Sequence, residues 1–132
     1  MDKGKEVRVL VLEDDLETLE FILRVLKEVS LEKEIEIGVT ALPDYVQTEL
    51  FINNNPAIKY DILFLDRDCF LGGTFHVVNL NFFDKDKVIS ISSVPEYNEK
   101  AKELGIKRVV WKDYQNLGNF ARELKAQIVQ II

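Results

Sequence analysis

The sequence predicts an α/β protein built on a parallel β-sheet. Three observations point there. Short, nearly continuous apolar runs alternate with longer stretches whose apolar residues recur at three- and four-residue spacing. The runs are apolar without alternation, as expected of strands buried on both faces. Each of four runs ends on a polar side chain: Glu13, Asp14 and Asp15 after 7–12, Asp66 after 60–65, Ser92 and Ser93 after 88–91, and Lys112 after 107–111. Alternating strands and helices imply right-handed crossovers and parallel neighbours.

The elements follow in order. Residues 7–12 form the first buried strand. Leu16, Leu19, Ile22, Leu23, Leu26 and Val29 repeat at helical spacing, with Glu17, Glu20, Arg24, Lys27 and Glu28 on the opposite side. Asp14 or Asp15 can cap that helix by accepting from its free N–H groups. Residues 34–39 alternate charged and apolar side chains, which suits a half-exposed edge strand. Pro43 suits the first turn of a second helix, reaching about Ile52 and ended by Asn53, Asn54, Asn55 and Pro56. Residues 60–65 are the third strand. Gly72 and Gly73 mark a loop, and 74–80 fit a short third helix. Residues 88–92 are the fourth strand. Ser93-Val94-Pro95-Glu96 matches a capping box opening a fourth helix, which Gly105 ends. Residues 107–111 are the fifth strand. Leu117, Phe120, Leu124, Ile128 and Ile131 are the apolar stripe of a last helix. No repeats, linkers or low-complexity segments interrupt this order, so 1–132 reads as one domain with 1–6 as a flexible N-terminal tail.

Composition narrows the function classes. The chain has 132 residues, 47% of them hydrophobic, enough for a substantial core. A net charge of −6 provides no basic stripe for nucleic acid or an anionic membrane surface. The one cysteine, Cys69, excludes an internal disulfide and points to a reducing compartment. The first six residues lack the apolar region of a signal peptide, and no apolar run approaches the ~20 residues that span a bilayer. A cytoplasmic protein is the expectation.

In a parallel α/β sheet the carboxyl ends of the strands open on one crevice. Asp14, Asp15, Asp66, Ser92 and Lys112 would share it. Carboxylates this close resist full ionisation unless a cation joins them. Mg²⁺ suits them, since it takes octahedral oxygen ligands and needs only one or two carboxylates beside water and phosphate. Phosphoryl transfer needs mostly positioning and charge neutralisation. Lys112 would neutralise phosphoryl oxygens, the Ser92 hydroxyl would donate to one, and Asp66 on a rigid strand end could attack phosphorus.

From residue 7 to the last helix, this arrangement resembles the receiver domain of two-component response regulators. The family's paired acids look like Asp14 and Asp15, its phosphoacceptor like Asp66, its Ser/Thr like Ser92, and its lysine like Lys112. The resemblance implies a flavodoxin-like (βα)5 fold, a doubly wound parallel sheet of order 2-1-3-4-5. It implies phosphorylation on Asp66 with Mg²⁺ held by Asp15, Asp66 and a backbone carbonyl near Asp68, Asp14 acting partly through water, and Asp68 close to the metal. It implies a stand-alone phosphorelay module rather than an enzyme. A histidine kinase or phosphotransfer protein would be the donor, a second protein the output partner, and weak homodimerisation an option. The chain departs from the family in several places, including shorter segments between the third and fourth strands and from Ser92 to Gly105. Asp66 is followed by Arg67-Asp68-Cys69-Phe70-Leu71-Gly72-Gly73, Asp113 stands where a proline usually follows the lysine, and Val109 occupies the aromatic switch position.

Two alternatives use the same residues. A degenerate receiver would bind a partner without phosphorylation. A small phosphoesterase would use Asp66 as nucleophile and Asp68 as general acid/base, since residues 62–68 resemble the first motif of haloacid-dehalogenase-type phosphatases. A looser similarity, through Asp66, Asp68 and the glycines, is to receiver-like domains that process cyclic phosphates. Simpler roles also fit single residues: Ser93 as a cap, Ser92 as a buried serine, His76 in packing or on the surface, and Cys69 as a small apolar filler. Asp113 could draw Lys112 away from the crevice. Trp111 and Tyr114 would pack at the sheet edge or meet a partner.

Overall fold

A computed structural model of the chain describes residues 5–66 and 84–132. Its order is β1 (Glu6–Leu12), α1 (Leu16–Lys33), β2 (Glu36–Leu42), α2 (Tyr45–Asn54), β3 (Ile62–Asp66), a 3-10 turn (Lys85–Lys87), β4 (Val88–Ser92), α3 (Pro95–Glu103), β5 (Arg108–Trp111) and α4 (Leu117–Ile131). The five strands are parallel in the order β2-β1-β3-β4-β5, so the expected flavodoxin-like topology is the observed one. The expected helix at 74–80 lies outside the described residues, as do Asp68, Cys69 and His76.

Strand periodicity divides the core between the two faces of the sheet. Val7, Val9 and Val11 of β1, Ile62 and Phe64 of β3, Ile89 and Ile91 of β4, and Val110 of β5 join one cluster with Ile22, Val25, Leu26 and Val29 of α1 and Phe120, Leu124 and Ile128 of α4. Leu10, Leu12, Leu63, Leu65 and Val88 face the other way, with Ile52 of α2, Ala101 of α3, and Ile106. Successive side chains of a strand point to opposite faces. The interior strands therefore need apolar residues at every position, which accounts for the unbroken runs.

Several boundaries differ from expectation. β1 begins at Glu6, the last residue assigned to the tail, and Lys5 O just before it accepts from Glu36 N–H at 3.0 Å. α1 continues to Lys33 and closes on Glu34, a non-glycine residue in the left-handed region at φ 53°. This pushes β2 to Glu36–Leu42, later than the 34–39 expected. α2 starts at Tyr45 with Asp44 as N-cap, its side chain accepting from Gln47 N–H, so Pro43 stands just before the helix. The capping box at 93–96 does not form. Val94 takes the N-cap position without a side-chain bond, and Pro95 opens α3. The hydroxyl of Ser92 binds this corner instead, accepting from Val94 N–H at 2.9 Å.

Candidate phosphoryl and metal site

Three strands deliver the site by continuing their own alternation past their last apolar residue. Val9 and Val11 face the α1–α4 side, and Glu13 is the next position in that series. Ile62 and Phe64 lead in the same way to Asp66, and Val110 leads to Lys112. The register aligns them. Leu12 pairs with Leu65, which brings Glu13 level with Asp66. Ladder bonds run on past the strands, from Glu13 N–H to Leu42 O at 3.1 Å and from Lys112 N–H to Ser92 O at 2.8 Å. Backbone therefore fixes both residues that follow the strand ends.

Glu13, Asp66 and Lys112 are all buried. Lys112 Nζ lies 3.0 Å from Asp66 Oδ1 and 3.1 Å from Glu13 Oε1. Burial pushes the Glu13 carboxyl up to about 9, helped by a hydrogen bond to Asp66 and by that neighbour's charge. For Lys112, burial by itself favours the neutral amine. The carboxylates of Asp66 and Glu13 outweigh it and hold the ammonium proton well above the usual lysine range. The ammonium of Lys112 thus lies between two carboxyl groups, and burial favours the protonated form of Glu13 beside Asp66. An excess of buried negative charge would be far costlier.

Asp14 is exposed at the rim. One ligand atom from each of Glu13, Asp14 and Asp66 lies within 4.8 Å of the others. An all-oxygen donor set of carboxylates, partly open to solvent, fits a hard divalent cation such as Mg²⁺ or Mn²⁺. Asp15 sits differently from the metal pair expected after β1. It is the N-cap of α1, and its carboxylate accepts from both the N–H and the hydroxyl of Thr18, which lowers its pKa. The acids brought to Asp66 are thus Glu13 and Asp14, one residue earlier than the sequence suggested. The missed residue, Glu13, was signalled by the period-two series Val7, Val9, Val11.

Ser92 ends β4 fully buried, with its hydroxyl engaged by Val94. Asp113 does something other than compete for Lys112: its carboxylate accepts from Gln115 N–H at 3.1 Å and Asn116 N–H at 3.2 Å, forming a turn. Lys112 points inward to Asp66 and Glu13.

No protein-family model matches the sequence, and no curated protein does. Solved structures do. A response regulator from Hahella chejuensis superposes with a TM-score of 0.75 at 20% identity, covering 96% of this chain and 95% of that one. The Mn²⁺-bound form of response regulator Rcp1 gives 0.74 at 16% identity, over 91% and 90%. The chain has the receiver-domain fold. A response regulator receiver protein from Burkholderia phymatum agrees, with a TM-score of 0.63 at 18% identity over 93% and 95%. At such identities the likeness concerns the fold, and the chemistry rests on this chain's own residues. Within the receiver fold the buried Lys112–Asp66 pair occupies the carboxyl edge of the sheet. Among the described residues, no helix is long and apolar enough to cross a membrane.

Proposed function

We propose that this chain is a receiver-type signalling module in which Asp66 accepts a phosphoryl group from a phosphohistidine of a histidine kinase or phosphotransfer protein. The observation that carries this reading is the ion pair between Asp66 and a buried lysine, 3.0 Å apart, beside the acidic cluster of Glu13 and Asp14. An oxygen of Asp66 would attack phosphorus as the P–N bond breaks, giving an acyl phosphate. The leaving imidazole keeps the electron pair and its other proton. On this reading Lys112 would move from the carboxylate to the new phosphoryl oxygens, and the Ser92 hydroxyl, engaged here with Val94, would donate to one of them. Mg²⁺, held by Asp14 and Asp66 with Glu13 alongside, would neutralise the phosphoryl charge when bound. Asp68 remains a candidate contributor of a backbone ligand or of the acid/base function in a phosphoesterase.

The test is incubation with acetyl phosphate or phosphoramidate plus Mg²⁺, read by intact mass. One added phosphoryl group is expected, absent in Asp66→Ala and slower in Lys112→Ala. Steady phosphate release from varied phosphomonoesters, abolished by Asp68→Asn, would replace this reading with the phosphoesterase. Neither modification nor turnover would leave a phosphorylation-independent binding module, the reading that the complete burial of Asp66 favours.

A further inference from the structure

Lys112 is only 1% exposed although the chain leaves the sheet immediately after Trp111. Tyr114, two residues further on, comes back over it. The ammonium sits 5.6 Å from the centroid of the Tyr114 ring, within the range of a cation–π contact. Tyr114 itself is 52% exposed, so one side of the ring faces Lys112 and much of the rest faces water. Its position is not left to chance. Asp113 O accepts from Asn116 N–H at 3.1 Å, closing a turn over 113–116, and the Asp113 carboxylate adds two more bonds to the same turn. Asp at the first position of such a turn supplies these bonds from its side chain. Asn116 then caps α4 by accepting from Asn119 N–H at 3.0 Å, anchoring the far end. Asp113 thus organises the loop that holds the aromatic ring over the lysine.

We infer that Tyr114 is a positioning residue that shields Lys112 from solvent and thereby sets the lifetime of a phosphoryl group on Asp66. The lifetime half of this inference rests on the function proposed above; the shielding half does not. Loss of the phosphoryl group requires a water oxygen to attack phosphorus while the P–O bond to Asp66 breaks. The products are inorganic phosphate and the free carboxylate, with the water proton passing to solvent. A ring that closes the β5 side of the site excludes water from that approach and keeps Lys112 aimed at the phosphoryl oxygens. The Tyr114 hydroxyl also faces Lys112, so phenylalanine, which keeps the ring alone, should serve in part and alanine should not.

Two measurements on the full chain test this. The first is brief acetic anhydride labelling of the native protein, with Lys112 quantified by peptide mass spectrometry against the exposed lysines. Tyr114→Ala should raise Lys112 labelling about tenfold, a contact of ordinary cation–π strength. Tyr114→Phe should lie between the wild type and Tyr114→Ala, and Asp113→Ala should move toward Tyr114→Ala. Tyr114→Leu, a smaller aliphatic replacement, is expected to label more than Tyr114→Phe, and circular dichroism confirms folding of each variant. Unchanged labelling in folded Tyr114→Ala overturns the shielding. The second is decay of phosphorylated protein after removal of acetyl phosphate. Faster decay in Tyr114→Ala, restored at least in part in Tyr114→Phe, supports the inference; equal decay in Tyr114→Ala and the wild type overturns its lifetime half. If the wild type takes up no phosphoryl group, the proposed function and the lifetime half fail together, while the labelling still decides what Tyr114 does.

Discussion

At the scale of single residues, the energetics centre on a full positive charge at Lys112 in the protein interior. Two carboxyl groups face it, Glu13 just past β1 and Asp66 at the end of β3. Lys112→Ala would leave those groups buried without their cation. We expect a loss of about 3–5 kcal/mol in chemical denaturation, the usual consequence of removing one partner of a buried pair. Glu13 gives a pH-dependent signature. Its folded pKa lies near 9 against an ordinary 4.5, so the folded state holds this proton more tightly. The stability Glu13 contributes is complete below its unfolded value and is lost as pH rises toward 9. Glu13→Gln keeps a neutral donor facing Asp66 and removes the titration. In metal-free buffer the melting temperature of the wild type should therefore fall relative to Glu13→Gln between about pH 4.5 and 9. Parallel curves would show that Glu13 titrates normally.

At the scale of elements, the start of α1 and the seating of α3 contrast. α1 has a side-chain cap at Asp15 and buries Ile22, Val25, Leu26 and Val29. Asp15→Ala should cost about 1 kcal/mol in thermal or urea unfolding. Because the Asp15 pKa is lowered, this contribution is present above its ordinary value of 3.8 and fades as pH falls through the folded value. α3 has no side-chain cap and buries only Asn98 and Ala101. Asn98 Oδ1, and Ser90 Oγ on β4, are buried without a hydrogen-bond partner among the described residues. Few apolar anchors and unsatisfied polar atoms mark an element of low local stability. Amide hydrogen exchange should be faster along Pro95–Glu103 than in the middle of α1 or α4. Equal protection would show that α3 opens only with the whole molecule.

At the scale of the whole molecule, a net charge of −6 and an acidic cluster at one edge of the sheet make a bound cation stabilising by linkage. Millimolar Mg²⁺ should raise the melting temperature by a few degrees, about what a ~1 kcal/mol linkage effect gives in a domain of this size. Asp14→Ala should remove that rise and Asp15→Ala should leave most of it. The reverse pattern would return the metal pair to Asp14 and Asp15.

The order of strands and helices, their parallel arrangement and the polar endings of the strands were legible in the sequence, because burial on both faces of a sheet demands apolar runs that local periodicity displays. Asp66 and Lys112 could be named for the same reason: each directly follows such a run. What only the tertiary structure decided is the pairing between distant residues. Lys112 meets Asp66 across 46 residues and Glu13 across 99. Which carboxylate of the Glu13-Asp14-Asp15 series turns inward depended on where α1 begins and on Thr18 taking up the Asp15 side chain. The failed capping box at 93–96 and the turn built by Asp113 were decided in the same way, because a short polar side chain binds whichever backbone N–H the folded chain brings within reach. Local pattern determines elements and faces, whereas charge compensation in a buried site depends on contacts that exist only once those elements have packed.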